Sequence, residues 1–196
     1  MALSLRCECG RVQGRVETDQ VYVRAKCYCR DCQAYARWLD RPGAVDAQGG
    51  TDIVAMNPAA VHITSGDEQI ACMSLGEKGM LRWYTVCCRT PLGNTPRDAK
   101  VSYVGIITTG LSPAREVDEA FGPRGRVVIN AGSAQGKVKA TPVGFVVGGL
   151  RIVRNILGAR LRKQGPTLFF DGEGQPIRKV EVLSAAERAA LGGNGA

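Results

Sequence analysis

Histidine is nearly missing from this chain: one residue, His62, in 196. A single imidazole leaves no spare base for a Cys–His nucleophile unless His62 itself serves. His62 stands between Val61 and Ile63 in an expected strand, where a surface or satisfied histidine is a simpler reading than a metal ligand. Aromatic residues are also scarce, at 6%, and Phe145, Phe169 and Phe170 read as core rather than as a platform for stacking bases. No apolar stretch reaches about 18 residues, so no membrane span is expected. The opening segment, MALSLRCECG, lacks an apolar run of signal-peptide length. The expected location is therefore cytoplasmic, with thiols kept reduced. The length fits one domain with elaborations, or a domain plus a subdomain, and can bury a core without help from a metal.

What is present is cysteine, eight residues of it. Cys7 and Cys9 form a C-x-C. Cys27, Cys29 and Cys32 form a C-x-C-x-x-C. Cys87 and Cys88 are neighbours. Thiols this close in sequence can converge on one ion, and zinc held by thiolates is the commonest outcome. A disulfide between cysteines one residue apart would be strained; unlinked buried thiols are the other alternative. Cys72, with no partner nearby in sequence, reads as an inert core thiol.

The net charge of +8 is uneven. Residues 1–110 carry 13 Lys/Arg against 11 Asp/Glu, whereas residues 111–196 carry 13 against 7. Arg6, Arg11, Lys26, Arg30 and Arg89 flank cysteines. They could offset the negative charge of a zinc–thiolate complex or simply be solvated.

β-branched residues and alternation predict strands at Gly10–Glu17, Val21–Lys26, Asp52–Ala55, Val61–Thr64, Gln69–Leu75, Met80–Val86 and Val101–Thr108. Ser65-Gly66-Asp67 reads as a turn, and Asp31–Leu39 as a short helix ended by Arg41-Pro42-Gly43. Strands so closely spaced predict a mainly β fold, with the cysteine clusters at strand ends. Residues 112–126, rich in Pro, Gly and charge, read as a loop, and Arg126–Asn130 as a strand. Residues 143–163 read as a basic helix with Val146, Leu150, Val153, Leu157 and Leu161 on one stripe, expected to pack on the sheet. Gly165-Pro166 stops it. Leu168–Phe170 and Ile177–Leu183 suggest a hairpin around Asp171–Gly174. Ser184 and Glu187 form a capping box opening a last helix, and residues 192–196 are expected to be a frayed tail. The expected organisation is a zinc-binding β domain at 1–110, an extension at 111–191 packed on it, and the tail.

Three thiolates at 27, 29 and 32 could hold zinc with a fourth position open for substrate or water, or belong to a closed structural site with a ligand from elsewhere. Cys7 and Cys9 supply two ligands of another site, with Cys87 and Cys88 as the natural complement. Adjacent strand residues point to opposite faces, so both can ligate only where the backbone bends. The segment Asn130–Lys137 imitates a phosphate loop, but three residues separate its glycines where four are required, and Val138 stands in place of Ser or Thr. The basic helix could bind nucleic acid or an anionic membrane face; solvation of its charged side is the simpler reading, and nucleic acid is not expected. Oligomeric state is not readable from these patterns.

The motifs Cys7-Glu8-Cys9-Gly10, Cys27-Tyr28-Cys29-Arg30-Asp31-Cys32-Gln33 and Tyr84-Thr85-Val86-Cys87-Cys88-Arg89-Thr90-Pro91-Leu92 occur in that order. In them the sequence resembles the glutathione-dependent formaldehyde-activating enzyme (GFA) family, which includes centromere protein V, over roughly residues 5–108. The resemblance implies a zinc-pinned, mainly β "β-tent" fold with a C-terminal helix and hairpin added outside the family core. It implies one or two zinc ions: a structural one on the first and last clusters, and a second on the middle cluster. It also implies a small thiol such as glutathione as partner, and carbon–sulfur lyase chemistry linking glutathione, formaldehyde and S-hydroxymethylglutathione. The alternative is a non-catalytic, zinc-stabilised binding module that uses its basic C-terminal region for an acidic partner. Three positions depart from the family pattern. Thr85 stands where the F-C-x-x-C-G-T motif has its first cysteine, Arg89 where it has glycine, and Tyr28 where histidine follows the first cysteine of the middle motif. The structural site is therefore expected to be rebuilt around Cys87 or to lack a ligand.

Overall fold

The computed structural model describes residues 1–161 and 167–192. Arg162, Lys163, the expected stop at Gly165-Pro166 and tail residues 193–196 lie outside the described residues. The chain is mainly β, in two sheets. The smaller sheet takes β1 (Ala2–Arg6), β2 (Gln13–Glu17), β5 (Val61–Ser65) and β10 (Leu111–Ser112) in the order β10-β1-β2-β5. The larger sheet takes β3 (Val21–Cys27), β4 (Thr51–Met56), β6 (Ile70–Ser74), β7 (Leu81–Thr85), β8 (Pro91–Thr95), β9 (Val104–Ile107), β11 (Val128–Ile129) and β12 (Val180–Val182). Its order is β11-β3-β4-β9-β8-β7-β6-β12. Its two outer pairings are parallel and its inner ones antiparallel.

Side chains alternate across the larger sheet, and the alternation builds two cores. Val54, Met56, Ile70, Cys72, Leu81, Trp83, Val104 and Ile106 point to one side, where they meet Leu3, Leu5 and Val16 of the smaller sheet. Ile53, Met73, Tyr84 and Ile107 point to the other and are covered by Ala34, Tyr35 and Leu39. These last three come from the helix α1 (Arg30–Trp38) and the residue that caps it. Tyr35 ties the layers together by donating its hydroxyl to the Trp83 carbonyl at 3.0 Å. Between β2 and β5 the backbones approach so closely that a Cβ on Gly14 would sit 2.2 Å from the His62 carbonyl oxygen, so only glycine fits there.

The chain after residue 111 differs most from expectation. The segment expected as a loop, 112–126, contains the helix α2 (Ala114–Phe121), started by Pro113 and stopped by Gly122 at φ 80°. Its Asp118 reaches the buried Arg24 of β3 at 2.7 Å, and Arg24 also forks onto Asp52 of β4. Pro, Gly and charge mark this stretch in the sequence, but the buried Val117, with Ala120 and Phe121 packed against the core, and the Asp118–Arg24 ion pair hold the helix. The hairpin turn at Asp171 closes with a bridge between Phe170 and Pro176, after which β12 leaves to run parallel to β6. The capping box opens α4 (Ala185–Ala190) as expected.

Helix α3 (Pro142–Leu161) is turned over relative to expectation. It packs on β3 and β11, but the residues facing the sheet are Gly148, Ile152, Ile156 and Ala159. The stripe Val146, Leu150, Val153, Leu157 and Leu161 is exposed, with Leu150 at 67%. The helix carries two apolar stripes. The one rich in small residues goes inward because it lets the backbone approach closely: a Cβ on Gly148 would lie 3.4 Å from Val23 Cγ2. Phe169 and Phe170 are core, as expected, but Phe145 is exposed on α3. By length and composition α3 could cross a membrane, which the arginines interrupting its apolar run conceal from a simple count of consecutive residues.

Candidate metal centres

The first group joins chain segments about 80 residues apart. Cys7 and Cys9 lie in the turn that follows β1, where Gly10 adopts φ 77° and donates its amide to the Cys7 carbonyl. Cys87 and Cys88 lie in the turn that follows β7. The strand ends at Thr85, and Arg89 bends the backbone back at φ 55°. That bend lets adjacent cysteines face the same point. Cys7 Sγ is 3.6 Å from Cys9 Sγ and 3.9 Å from Cys87 Sγ. Cys9 to Cys87 is 3.4 Å and Cys87 to Cys88 is 3.8 Å. A tetrahedron of thiolates about 2.3 Å from one zinc ion has sulfur–sulfur edges of about 3.8 Å. The spacing fits that donor set, and all eight cysteines are free.

The surroundings suit sulfur carrying negative charge. Val12 donates its amide to Cys7 Sγ at 3.2 Å. Thr85 and Thr90 place their hydroxyls 3.4 and 3.1 Å from Cys88 Sγ. Burial works against the Cys88 thiolate, but these contacts, together with those from Cys9, prevail and bring its pKa down to about 5. Burial pushes Cys87 up to about 12. Arg41 hydrogen-bonds the Cys88 carbonyl and pairs with Glu8, which brings a cation to the rim. Thr85 thus supports the site as a hydrogen-bond partner, and Cys87 stands beside the other three sulfurs.

The second group spans the end of β3 and the start of α1. Cys27 ends the strand, Cys29 caps the helix by accepting the Cys32 amide at 3.3 Å, and Cys32 sits on the first turn. Cys32 Sγ lies 3.8 Å from Cys27 Sγ, and the three sulfurs lie within 4.8 Å of one another. Asn130 directs its amide at Cys27 Sγ from 3.7 Å. Among the described residues no fourth cysteine and no histidine, aspartate or glutamate joins this group.

Arg82 completes the surroundings of this group. It lies on β7 between Leu81 and Trp83, is 4% exposed, stacks 5.1 Å from the Tyr35 ring, and reaches Asn94 at 3.2 Å. Among the described residues no carboxylate pairs with it; its electrostatic partners are Cys32, Cys29 and Tyr35. Hydrogen bonds from Cys27 and Cys29, with help from the Arg82 cation, hold the Cys32 thiol well below its usual range. Contacts with the other two thiols, together with burial, push Cys27 well up. The sequence signal for Arg82 is a charged residue inside the apolar run Leu81–Tyr84, distant in the chain from the cations that flank the cysteines of this group. Lys26 pairs with Asp46 at 3.1 Å, whereas Arg30 is exposed at the start of α1 with no ion pair among the described residues.

The remaining sequence candidates lie elsewhere. Cys72 is buried in β6, where burial pushes its thiol up to about 12. His62 Nε2 is 3.2 Å from Glu17 Oε1 but makes no hydrogen bond among the described residues. The phosphate-loop imitation at 130–137 forms a short turn instead, and its Ser133 carbonyl and Gln135 amide bond Gln33 of α1. A surface cavity of about 420 Å³ beside α1 is lined by Arg37, Asp40, Arg41 and Asp46 and by none of the cysteines.

Fold and site together define a mainly β protein with two cysteine groups, each of which could hold zinc or another metal ion. The chain belongs to the family described as "Family of unknown function (DUF6151)", which matches residues 1–181. No curated protein matches it. Among solved structures it is similar to the crystal structure of a Rhodobacter sphaeroides protein, at 15% identity and a TM-score of 0.40, covering 58% of this chain and 94% of that one.

Proposed function

We propose that this chain is a GFA-like zinc protein with two unequal sites: a structural ion on Cys7, Cys9, Cys87 and Cys88, and an open one on Cys27, Cys29 and Cys32. The open site takes a small thiol of the glutathione type, and its reaction class is carbon–sulfur lyase. One observation carries the reading. The first group offers four sulfurs, which closes a tetrahedron, and the second offers three beside a buried cation, which leaves a position free. The order of the three cysteine motifs, which resembles that of the GFA family, supports it.

Zinc in such a site lowers the pKa of a thiol bound to it. The chain's own residues do the rest. Three thiolates on a divalent ion leave one net negative charge, and Arg82 balances it from inside the protein. Asn130 orients Cys27, and α1 holds Cys29 and Cys32 in one turn. Arg30, exposed and without an ion pair among the described residues, offers a cation for a carboxylate of the thiol. The cysteines require a compartment that keeps thiols reduced, which favours the cytoplasm.

The test is metal counting combined with calorimetry. Wild type should carry two zinc ions and bind glutathione. Cys29→Ser should lose one ion and all thiol binding while keeping the fold. A two-zinc protein that binds no thiol would reject the open-site assignment.

A further inference from the structure

We infer that α3 docks the protein onto an anionic phospholipid bilayer, lying in the plane of the membrane surface. Val143, Val146, Leu150, Val153, Leu157 and Leu161 form one continuous stripe, each more than half exposed, on the face opposite the one seated on β3. Burying an apolar stripe while the protein keeps its own core intact is what an interfacial helix does.

Charge selects the occupant. Between Glu119 and Asp171 the sequence carries nine Lys or Arg and no Asp or Glu. In that stretch Arg126, Lys137, Lys139, Arg151, Arg154 and Arg160 are all exposed. At about 100° per residue, Arg154 and Arg160 fall on opposite shoulders of the apolar stripe. Arg151 and Arg154 share an open hollow with Val147 and Leu150. Apolar side chains can thus enter the acyl boundary while the arginines stay at the level of lipid phosphates.

A second copy of the chain is a poorer occupant. Stacking two such helices would oppose arginine to arginine with no acid on α3 to compensate. A nucleic acid would contact the arginines but leave the leucines facing phosphate and water. A transmembrane role is also disfavoured, because α3 is held against β3 along Gly148, Ile152 and Ala159. The inference is independent of the metal reading.

The experiment is flotation of the full-length protein with phosphatidylcholine vesicles, with and without about one-third phosphatidylglycerol, in low and high salt. Wild type should float with the anionic vesicles, and salt should weaken the binding. The paired change Leu150→Glu and Leu157→Glu should cut binding by about tenfold or more. Arg151→Ala and Arg154→Ala should each cost roughly fivefold on anionic vesicles only. These residues are exposed, so unchanged melting and zinc content will show that the variants fold. The proposal is overturned by wild type that stays with the soluble fraction, or by a wild-type dimer in sedimentation that the Leu150/Leu157 change converts to monomer. Equal binding by wild type and the Leu150/Leu157 variant overturns it as well.

Discussion

Arg82 lies in the interior against the thiol of Cys32, a cation from the sheet set beside a sulfur from the helix. A buried guanidinium without a carboxylate is costly unless another anion balances it. A metal bound by three thiolates is such an anion, so the pair links the charge of the interior to occupancy of the middle site.

Arg82→Met should therefore weaken metal binding by Cys27, Cys29 and Cys32 by about 10–100-fold, the usual range for groups that contact ligands rather than the metal. The four-sulfur group should be unaffected. Competition with a chromophoric chelator separates the two ions, and an unchanged second affinity would remove Arg82 from the site.

Removing metal should affect the two groups differently. The four-sulfur group joins the turn after β1 to the turn after β7, whereas the three-sulfur group joins neighbouring elements. Cys9→Ser should lower stability by several kcal/mol, and Cys29→Ser by much less. Thermal melting of both variants, with zinc content measured on the same samples, checks the order.

Each cysteine cluster is a local signal, short in spacing and near a strand end, whereas the approach of Cys7 to Cys87 spans 80 residues and depends on the fold. That Cys87 and Cys88 share one focus was not readable, since it depends on Arg89 taking a left-handed conformation. Most strands followed their alternation. Strand β8 has no signature in the sequence because Pro91, Gly93 and Asn94 have poor strand propensity, and burial between β7 and β9 makes them a strand. Strand β1 is a short alternation of Leu3 and Leu5. Helix α3 was legible as a helix but not in its orientation, because two apolar stripes compete and the choice rests on how closely glycines let it approach β3.

The Arg24 cluster gives a stability prediction. Arg24 forks onto Asp52, which also accepts the Thr108 hydroxyl at 2.9 Å. Arg24→Met would leave the buried Asp52 carboxylate with the Thr108 hydroxyl and, 3.7 Å away, the Arg124 guanidinium. The expected loss is about 3–5 kcal/mol, measurable by urea unfolding. A near-neutral result would mean that Arg124 takes over the pairing.

Asp118 supplies a pH dependence. The hydrogen bond from Arg24 holds its carboxyl below the ordinary value of 3.8. The folded protein thus binds this proton less readily than the unfolded chain. The stabilisation is present above the unfolded pKa and disappears as pH falls through the folded one. Asp118→Asn should therefore be less stable than wild type at pH 7. The gap should close as the pH is lowered through the ordinary carboxyl value of 3.8 and beyond it. Denaturant midpoints for both proteins across that range test the sign.

Arg89 occupies a left-handed conformation that glycine adopts at no steric cost and other residues do not. Its side chain compensates. The guanidinium stacks 4.7 Å from the Trp38 ring, donates to the Leu39 carbonyl at 3.1 Å and hydrogen-bonds the Trp38 carbonyl, so the metal-bearing turn is tied to the end of α1. Arg89→Ala loses those contacts and keeps the backbone cost. Arg89→Gly loses the same contacts but relieves a left-handed penalty of about 1–2 kcal/mol. Arg89→Gly should therefore be the more stable of the two variants by about 1 kcal/mol. It should also hold the first metal more firmly than Arg89→Ala, because the turn that aims Cys87 and Cys88 survives in it. If the two variants melt together and release zinc at the same chelator concentration, the left-handed turn does not set the geometry of the site.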